Sequence, residues 1–339
     1  MKKNILCLAL IIISFNCYPA SLLKKTVKPS GQGGDYTSVQ ACLTANAKDL
    51  TSTDEYLEIE ISGTWSSADG ERYVFTGFTV DATRYIHIYT IGDARHEGVF
   101  STSKYYISNN TYATQGTLPA FTIIDGIQIK ETLASYGGFK VSNGGTIKNC
   151  IFYNSAGGGV AIDTNSAQHT TTSANIYNNI IYGFASGIIG FYFGDDIFTI
   201  YNNTVYGCST QGIRTYTTSI YKNNISYNNS TDYTFLSGAG THSNNLAKDT
   251  SSPDNTYDSS TLTFTSTTGG SENFHLVSAD TDAIDNGADL SGVFTDDIDG
   301  VTRGATWDIG ADEFVSVATT LRFSSFGIGI FKGIGGDLR

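Results

Sequence analysis

The phrase Ile147-Lys148-Asn149-Cys150-Ile151-Phe152-Tyr153 returns as Ile176-Tyr177-Asn178-Asn179-Ile180-Ile181-Tyr182 and then as Ile200-Tyr201-Asn202-Asn203-Thr204-Val205-Tyr206. A fourth copy is Tyr221-Lys222-Asn223-Asn224-Ile225-Ser226-Tyr227, and a fragment, Asn244-Asn245-Leu246, follows it. Between the first Asn of successive copies the steps are 29, 24, 21 and 21 residues. That period is too long for a hairpin or a heptad and marks a solenoid. Each phrase is too short to bury its own apolar side chains, so the copies must stack on one another.

Strand alternation assigns columns to the repeat. The residue two before the first Asn (Ile147, Ile176, Ile200, Tyr221) and the residue three after it (Phe152, Ile181, Val205, Ser226) are expected to point inward. The invariant Tyr four after it (Tyr153, Tyr182, Tyr206, Tyr227) is expected to point outward, as is the residue just before it (Lys148, Tyr177, Tyr201, Lys222). The Asn column falls where strand meets turn. Asn tolerates the left-handed backbone of a sharp corner, and stacked Asn side chains can bond from coil to coil.

Upstream, Leu57, Ile59 and Ile61 alternate with Glu58 and Glu60, and Tyr85 to Tyr89 repeat the alternation. Gly92 to Tyr112 is a longer excursion carrying Arg95, His96 and Lys104. The strand pattern resumes at Phe121 to Ile129, 24 residues before the Ile147 copy but out of step with it by one, which calls for a bulge or a shifted alignment. Nearer the N-terminus, Val39, Cys42 and Leu43 share one face of a short amphipathic helix over Thr37 to Asn46, with Asp35 or Thr37 as its N-cap. Its expected role is to cover the open end of the stack.

These Ile-x-Asn-Asn-x-Ile-Tyr phrases, the later turns Gly158-Gly159-Val160, Gly187-Ile188-Ile189 and Gly212-Ile213-Arg214, and the Asn ladder resemble the right-handed parallel β-helix of the pectin-lyase-like superfamily. The resemblance implies three parallel strands per coil and supplies the handedness. Asp296-Asp297-Ile298-Asp299-Gly300-Val301-Thr302-Arg303 and Asp308-Ile309-Gly310-Ala311-Asp312-Glu313 resemble the C-terminal ending of many secreted bacterial β-helix proteins. In that ending Arg303 is positioned to tie several loops by charge-assisted bonds, with Trp307 and Phe314 covering the last coil. The expected layout is a signal peptide at 1–21, an N-terminal cap at 22–49, coils over 50–247, an acidic cap at 248–315 and a tail at 316–339. The tail, apolar but broken by Arg322 and Lys332, reads as mobile or as a sorting segment.

A chain with 37 Gly, 21 Tyr, 19 Phe and 4 Pro suits short strands and tight turns. Its formal charge of −12 argues against a nucleic-acid partner, whose phosphates require a basic face. Lys2 and Lys3 followed by the apolar run Ile5 to Phe15 have the form of a secretory signal, too short for a membrane span. Cys17 invites a lipoprotein reading, which the bulky Phe15 and Asn16 disfavour. The protein is therefore expected outside a bacterial cell or on its surface, without an integral span. The remaining Cys42, Cys150 and Cys208 are too scattered for a disulfide framework and read as small buried residues.

Three places suit chemistry. Tyr177, Tyr182, Tyr201, Tyr206 and Tyr227 would form an outward amphipathic strip for sugar rings, or serve only β-propensity and stacking. Asp163, Asp195, Asp196 and Arg214 each follow the glycine turn of their coil, and Gly194-Asp195-Asp196 resembles the Gly-Asp-Asp of polygalacturonases. Hydrolysis needs two carboxyl groups across the bond, and uronate elimination needs a base beside a cation. No His-Gly or Arg-Ile-Lys phrase follows, however, nor the Arg-x-Pro-x-x-Arg of calcium pectate lyases. His87, outward on its strand, with Arg95 and His96 beyond it, is the third. Asp296, Asp297 and Asp299 offer hard oxygens to a calcium ion, though without a full calcium loop. The reading that results is an exported solenoid that binds an extracellular polysaccharide and, with a lyase or hydrolase site, cleaves it. The competing class is a non-enzymatic surface or adhesive protein.

Overall fold

The structure, a computed structural model, describes residues 20–108, 114–135, 137–164, 173–190, 197–215, 219–236 and 238–316. Most of the expected signal segment, Asp195, Asp196 and nearly all of the C-terminal tail lie outside the described residues. Among the described residues, three all-parallel sheets of nine, seven and six strands stack along one axis. A full coil gives one strand to each sheet, as Ser173–Tyr177, Ile180–Tyr182 and Ser186–Ile189 do in turn. The chain is a right-handed parallel β-helix. No helix among the described residues is long and apolar enough to cross a membrane.

The inward columns are as the alternation requires. Ile147, Ile176, Ile200 and Tyr221 stand opposite one another on successive rungs, as do Phe152, Ile181, Val205 and Ser226. All eight are at most 1% exposed. Cys42, Cys150 and Cys208 are buried free thiols, each pushed up to about 12 by burial.

Between the first and second sheets the chain turns on two residues, and the two Asn of each phrase divide the work. The first adopts positive φ, between 48° and 56° in Asn149, Asn178, Asn202, Asn223 and Asn244. The second turns its amide into the coil. Asn179 Nδ2 donates to Asn203 Oδ1 at 2.9 Å, Asn203 to Asn224 at 3.0 Å, and Asn224 to Asn245 at 2.9 Å. Each of these side-chain oxygens also accepts the backbone N–H of the coil before, and each Nδ2 also donates to a strand carbonyl, so the amides of this inner column are satisfied. The ladder ends on Asp254, whose carboxylate accepts from Asn245 at 2.8 Å.

One coil earlier Gly126, at φ 73°, occupies the corner that Asn149 fills next. Ile124 pairs with Ile147 and Asp125 with Lys148, so this step is 23 residues rather than 24. The apparent slip of one residue is a matter of alignment, and the ladder is in register without a bulge. At the N-terminal end the helix Val39–Ala45 buries Val39, Cys42 and Leu43 against Val27 and Leu57 of the core, as its amphipathic pattern requires. Its N-cap is Ser38, not Asp35 or Thr37; Asp35 instead accepts from Thr26 N and Oγ1.

The C-terminal segment departs from expectation. Its first part, residues 249–260, meets the last coil, with Asp254 accepting from Asn245 and Ser260 N donating to Ala247 O; after a hairpin of Phe264–Ser266 with Asn273–Leu276 it runs along the flank of the coils, over the Asn corner. The side chains of the first-Asn column hold it by its backbone. Asn178 donates to Asp296 O, Asn202 to Asp308 O and Gly310 O, Asn223 to Ala288 O, and Asn244 to Asn286 O, all at 2.7–3.0 Å. Gly310, at φ 104°, passes so close to Ile225 that a Cβ would lie 2.5 Å from its Cδ1. Arg303 has a fully buried guanidinium that binds Glu313, Asn178 Oδ1 and the carbonyls of Gly310 and Ala311 at 3.0–3.1 Å. It is the tie its isolated charge among carboxylates suggests. Trp307 packs with Tyr201, Leu290 and Phe294 on the flank, and Phe314 packs against the second-sheet cluster that includes Ile151, Ile225 and Leu246.

The two Asn columns should respond differently to truncation. Asn203→Ala breaks the ladder and leaves buried partners at Asn179 and Asn224, for an expected loss of ~3 kcal/mol. Asn202→Gly keeps the positive φ but loses its two bonds to the C-terminal segment and the one it accepts from Asn223, for a smaller loss of about 2 kcal/mol. Urea unfolding midpoints of the two variants test the order.

Candidate functional site

The outward Tyr columns are in register but are not open along their length. Tyr177 stacks on Phe294 at 4.7 Å and 8°, and Tyr201 is buried with Leu290 and Trp307. Tyr182 meets Phe274 at 5.1 Å, Tyr206 meets both Phe264 and Phe274, and Tyr227 meets Phe264. The protein's own C-terminal segment thus covers most of the strip. The signal for this lies two residues after four of the five first Asn: Ile151, Ile180, Ile225 and Leu246, with Thr204 the exception, also face outward, and a mainly apolar outward column calls for a cover.

Where the cover stops, a groove opens. A cleft of about 550 Å³ lies between Phe100, Tyr153 and Tyr182 on one side and the hairpin tip Gly270 to Asn273 on the other. Tyr153 stacks on Tyr182 at 4.7 Å and 17°, and Phe100 tilts against Tyr153 at 5.7 Å. Lys130 Nζ sits 5.9 Å over the Phe100 ring, and Glu272 faces it from the hairpin. A second cleft of about 320 Å³ shares Tyr153, Tyr182 and Glu272 and continues past Gly157, Gly183 and Tyr206. Burial, then the charge of Glu272, raises the Tyr153 hydroxyl above its ordinary value, so the ring is a neutral amphipathic face. Phe100, Lys130 and Glu272 come from an irregular excursion, an earlier coil and the hairpin, and no repeat marks them.

On the third sheet, Asp163, Ile189 and Arg214 stand opposite one another on successive rungs. Asp163 and Arg214 therefore share one outward column, two rungs or about 10 Å apart. Asp163 is nine-tenths buried, pairs with Lys140 Nζ at 3.5 Å, and lines a cleft of about 260 Å³ with Lys140, Gly137 and Gly159. Asp195 and Asp196 lie outside the described residues, so of the four expected residues two are placed.

His87 and Arg95 converge on Asp125, but as partners of one carboxylate. Asp125 receives Arg95 at 3.1 Å, Lys148 at 3.1 Å and Asn149 Nδ2 at 3.0 Å, with His87 Nε2 3.8 Å away. Burial opposes its charge, yet His87, Lys148, Arg95 and Asn149 together hold it far below the usual carboxylate range. His96 is elsewhere, buried, with Nε2 bonded to Asn149 O and Nδ1 accepting from Gly98 N; burial lowers it to about 4, so it is neutral.

Asp296, Asp297 and Asp299 do not meet at a point. Asp297 spends its carboxylate on the backbone N–H groups of Asp299, Val301 and Glu313, whereas Asp299 turns to His275 at 2.8 Å. Among the described residues, one group of three potential metal donors comes together: His275, Asp299 and Asp312. The hydrogen bond to Asp299 raises His275 above its ordinary value, and burial pushes Asp312 up to about 7.

No family model matches the chain, and no curated protein and no solved structure matches it.

The Asp125 hub gives a signed pH dependence. Its depressed value means that it stabilises the fold above the ordinary carboxylate range, near pH ~4, and that this contribution is lost as pH falls through its folded value. Asp125→Asn should cost ~3 kcal/mol at neutral pH, as removal of one member of a buried charge cluster does. The gap to the unmutated protein should close as acid protonates Asp125. Urea unfolding across an acid pH series measures both.

Proposed function

We propose that this chain is an exported β-helix of the pectin-lyase-like kind that binds an extracellular polysaccharide in the groove at Tyr153. The observation that carries the reading is the half-buried Tyr153, stacked on the buried Tyr182, both lining the cleft of about 550 Å³. Flat amphipathic rings suit the apolar faces of sugars, while Ser101, Thr102, Lys130, Glu272 and Asn273 around them suit hydroxyl groups. With a formal charge of −12, the preferred ligand is a neutral glycan; an acidic one would need a bridging cation.

Binding, rather than hydrolysis, is what this groove supports. Hydrolysis takes two carboxyl groups across the scissile bond, and among the lining residues of the larger cleft Glu272 alone carries one. A cleavage reading rests instead on the third sheet, where Asp163 beside Lys140 pairs a base with a cation over a separate cleft. Were neither face to engage a glycan, the stacked coils would serve as a rigid surface spacer.

Affinity electrophoresis against neutral and acidic polysaccharides, with and without calcium, tests the reading. Tyr153→Ala should weaken retardation by a neutral glycan about tenfold, ~1.4 kcal/mol. Tyr177→Ala, whose ring face Phe294 already occupies, should leave it unchanged. Retardation by no glycan, or equal loss in both variants, would overturn the assignment. New unsaturated ends that vanish in Asp163→Asn would instead establish elimination at the third sheet.

A further inference from the structure

We infer that His275, Asp299 and Asp312 form a binding site for a divalent transition-metal ion of the zinc type, which clips the C-terminal segment to itself and to the coils beneath. Their donor atoms lie within 4.8 Å of one another. His275 Nε2 is 2.8 Å from Asp299 Oδ2 and 3.9 Å from Asp312 Oδ1.

The surroundings of the cluster point to an ion. His275 Nδ1 is bonded to Asn273 Oδ1, an acceptor, which keeps a proton on Nδ1 and leaves Nε2, facing the two carboxylates, as the nitrogen that can give up its proton to an ion. Such an outer partner is what fixes a metal-binding histidine in its tautomer. Two carboxylates and an imidazole nitrogen facing one another make a concave donor set suited to a cation. A proton on Nε2 would satisfy Asp299 Oδ2 alone. Asp312, 5% exposed, accepts the Leu276 N–H on Oδ2 and turns Oδ1 toward His275 Nε2, which at 3.9 Å is beyond hydrogen-bond reach. Among the described residues, Asp299 Oδ1 is buried without a hydrogen-bond partner. One ion engages all three residues at once.

The donor set selects the ion. One imidazole with two carboxylates, at bond lengths of about 2.0–2.2 Å, is a zinc-type trio with a fourth position for solvent. A cavity of about 280 Å³ lined by all three residues supplies the access. Calcium takes six to eight oxygens, more than two carboxylates can supply, and the imidazole is not a ligand it favours. The site also has a consequence for the fold. Its ligands come from the hairpin, the Asp-Gly turn and the Asp-Ile-Gly-Ala phrase, and Gly98 of the excursion passes so close that a Cβ there would lie 2.2 Å from Asp299 Oδ1. An ion would tie all of these together, and its binding free energy would add to folding.

The test uses the whole purified chain, stripped with chelator and titrated with zinc chloride by calorimetry in the absence of any glycan, so its outcome is independent of the carbohydrate reading. One zinc per chain at micromolar or tighter affinity, with a raised melting temperature, is expected. Asp312→Asn and His275→Gln should weaken binding at least about 100-fold, and Asn273→Ala, which removes only the outer partner, about 10- to 100-fold. Circular dichroism establishes that each variant is folded. If a variant fails to fold, X-ray absorption of the zinc-loaded unmutated chain decides: one imidazole with oxygen neighbours and no sulfur supports the site, while a sulfur shell overturns it. No zinc binding, affinity unchanged in folded variants, or equal affinity for calcium would also overturn it.

Discussion

The corner between the first and second sheets is the constraint on which the rest of the molecule depends. A two-residue turn between parallel strands demands one residue with positive φ and one able to satisfy backbone groups that the turn pulls out of both ladders. Asn-Asn meets both demands, and stacking repeats the solution from coil to coil. The inner amides become a continuous hydrogen-bonded column, and the outer amides become a row of donors on the surface. That outer row then serves as the track on which the C-terminal segment is laid.

This division explains why so much of the coil was legible in the sequence and so little of its flank. The inward columns follow from a period-2 pattern read within one phrase, and Ile176 or Phe152 needs no knowledge of distant residues to be placed. The positive φ of Asn178 and Asn202 follows in the same way. What the flank does depends on residues far outside the phrase itself, as when Phe294 closes over Tyr177. Local periodicity carries no information about such contacts. A further hint, the apolar outward column of Ile151, Ile180 and Ile225, becomes meaningful only once the Tyr column beside it is also seen to be apolar on its face.

The same reasoning accounts for the acidic phrases near the C-terminus. Read as a string, Asp296-Asp297-Ile298-Asp299 looks like a set of converging hard ligands. In the fold, adjacent residues of an extended turn diverge. Asp297 is buried, where its carboxylate must be satisfied, and three backbone N–H groups do so. Asp299 is left for the one imidazole within reach. The residues that complete its cluster, His275 and Asp312, lie 24 and 13 positions away, so spacing within the acidic phrase does not disclose them.

The covering of the Tyr strip also determines where a ligand can act. An aromatic ladder on a β-helix flank is adhesive along its whole length, and left open it would present a large apolar patch to any partner, including other copies of the chain. By laying Phe264, Phe274, Phe294 and Trp307 over the ladder, the C-terminal segment fills that surface with internal contacts and leaves Tyr153 and the edge of Tyr182 beyond its hairpin tip. The proposed recognition surface is thus defined by subtraction: the repeat supplies identical rings, and the non-repeating segment selects which of them remain available. Specificity then resides in what rims the uncovered rings, Lys130 from a coil that lacks the Asn phrase and Glu272 from the hairpin itself. Both lie outside the repeat, so substitutions there can retune the groove without disturbing the register that holds the coils together.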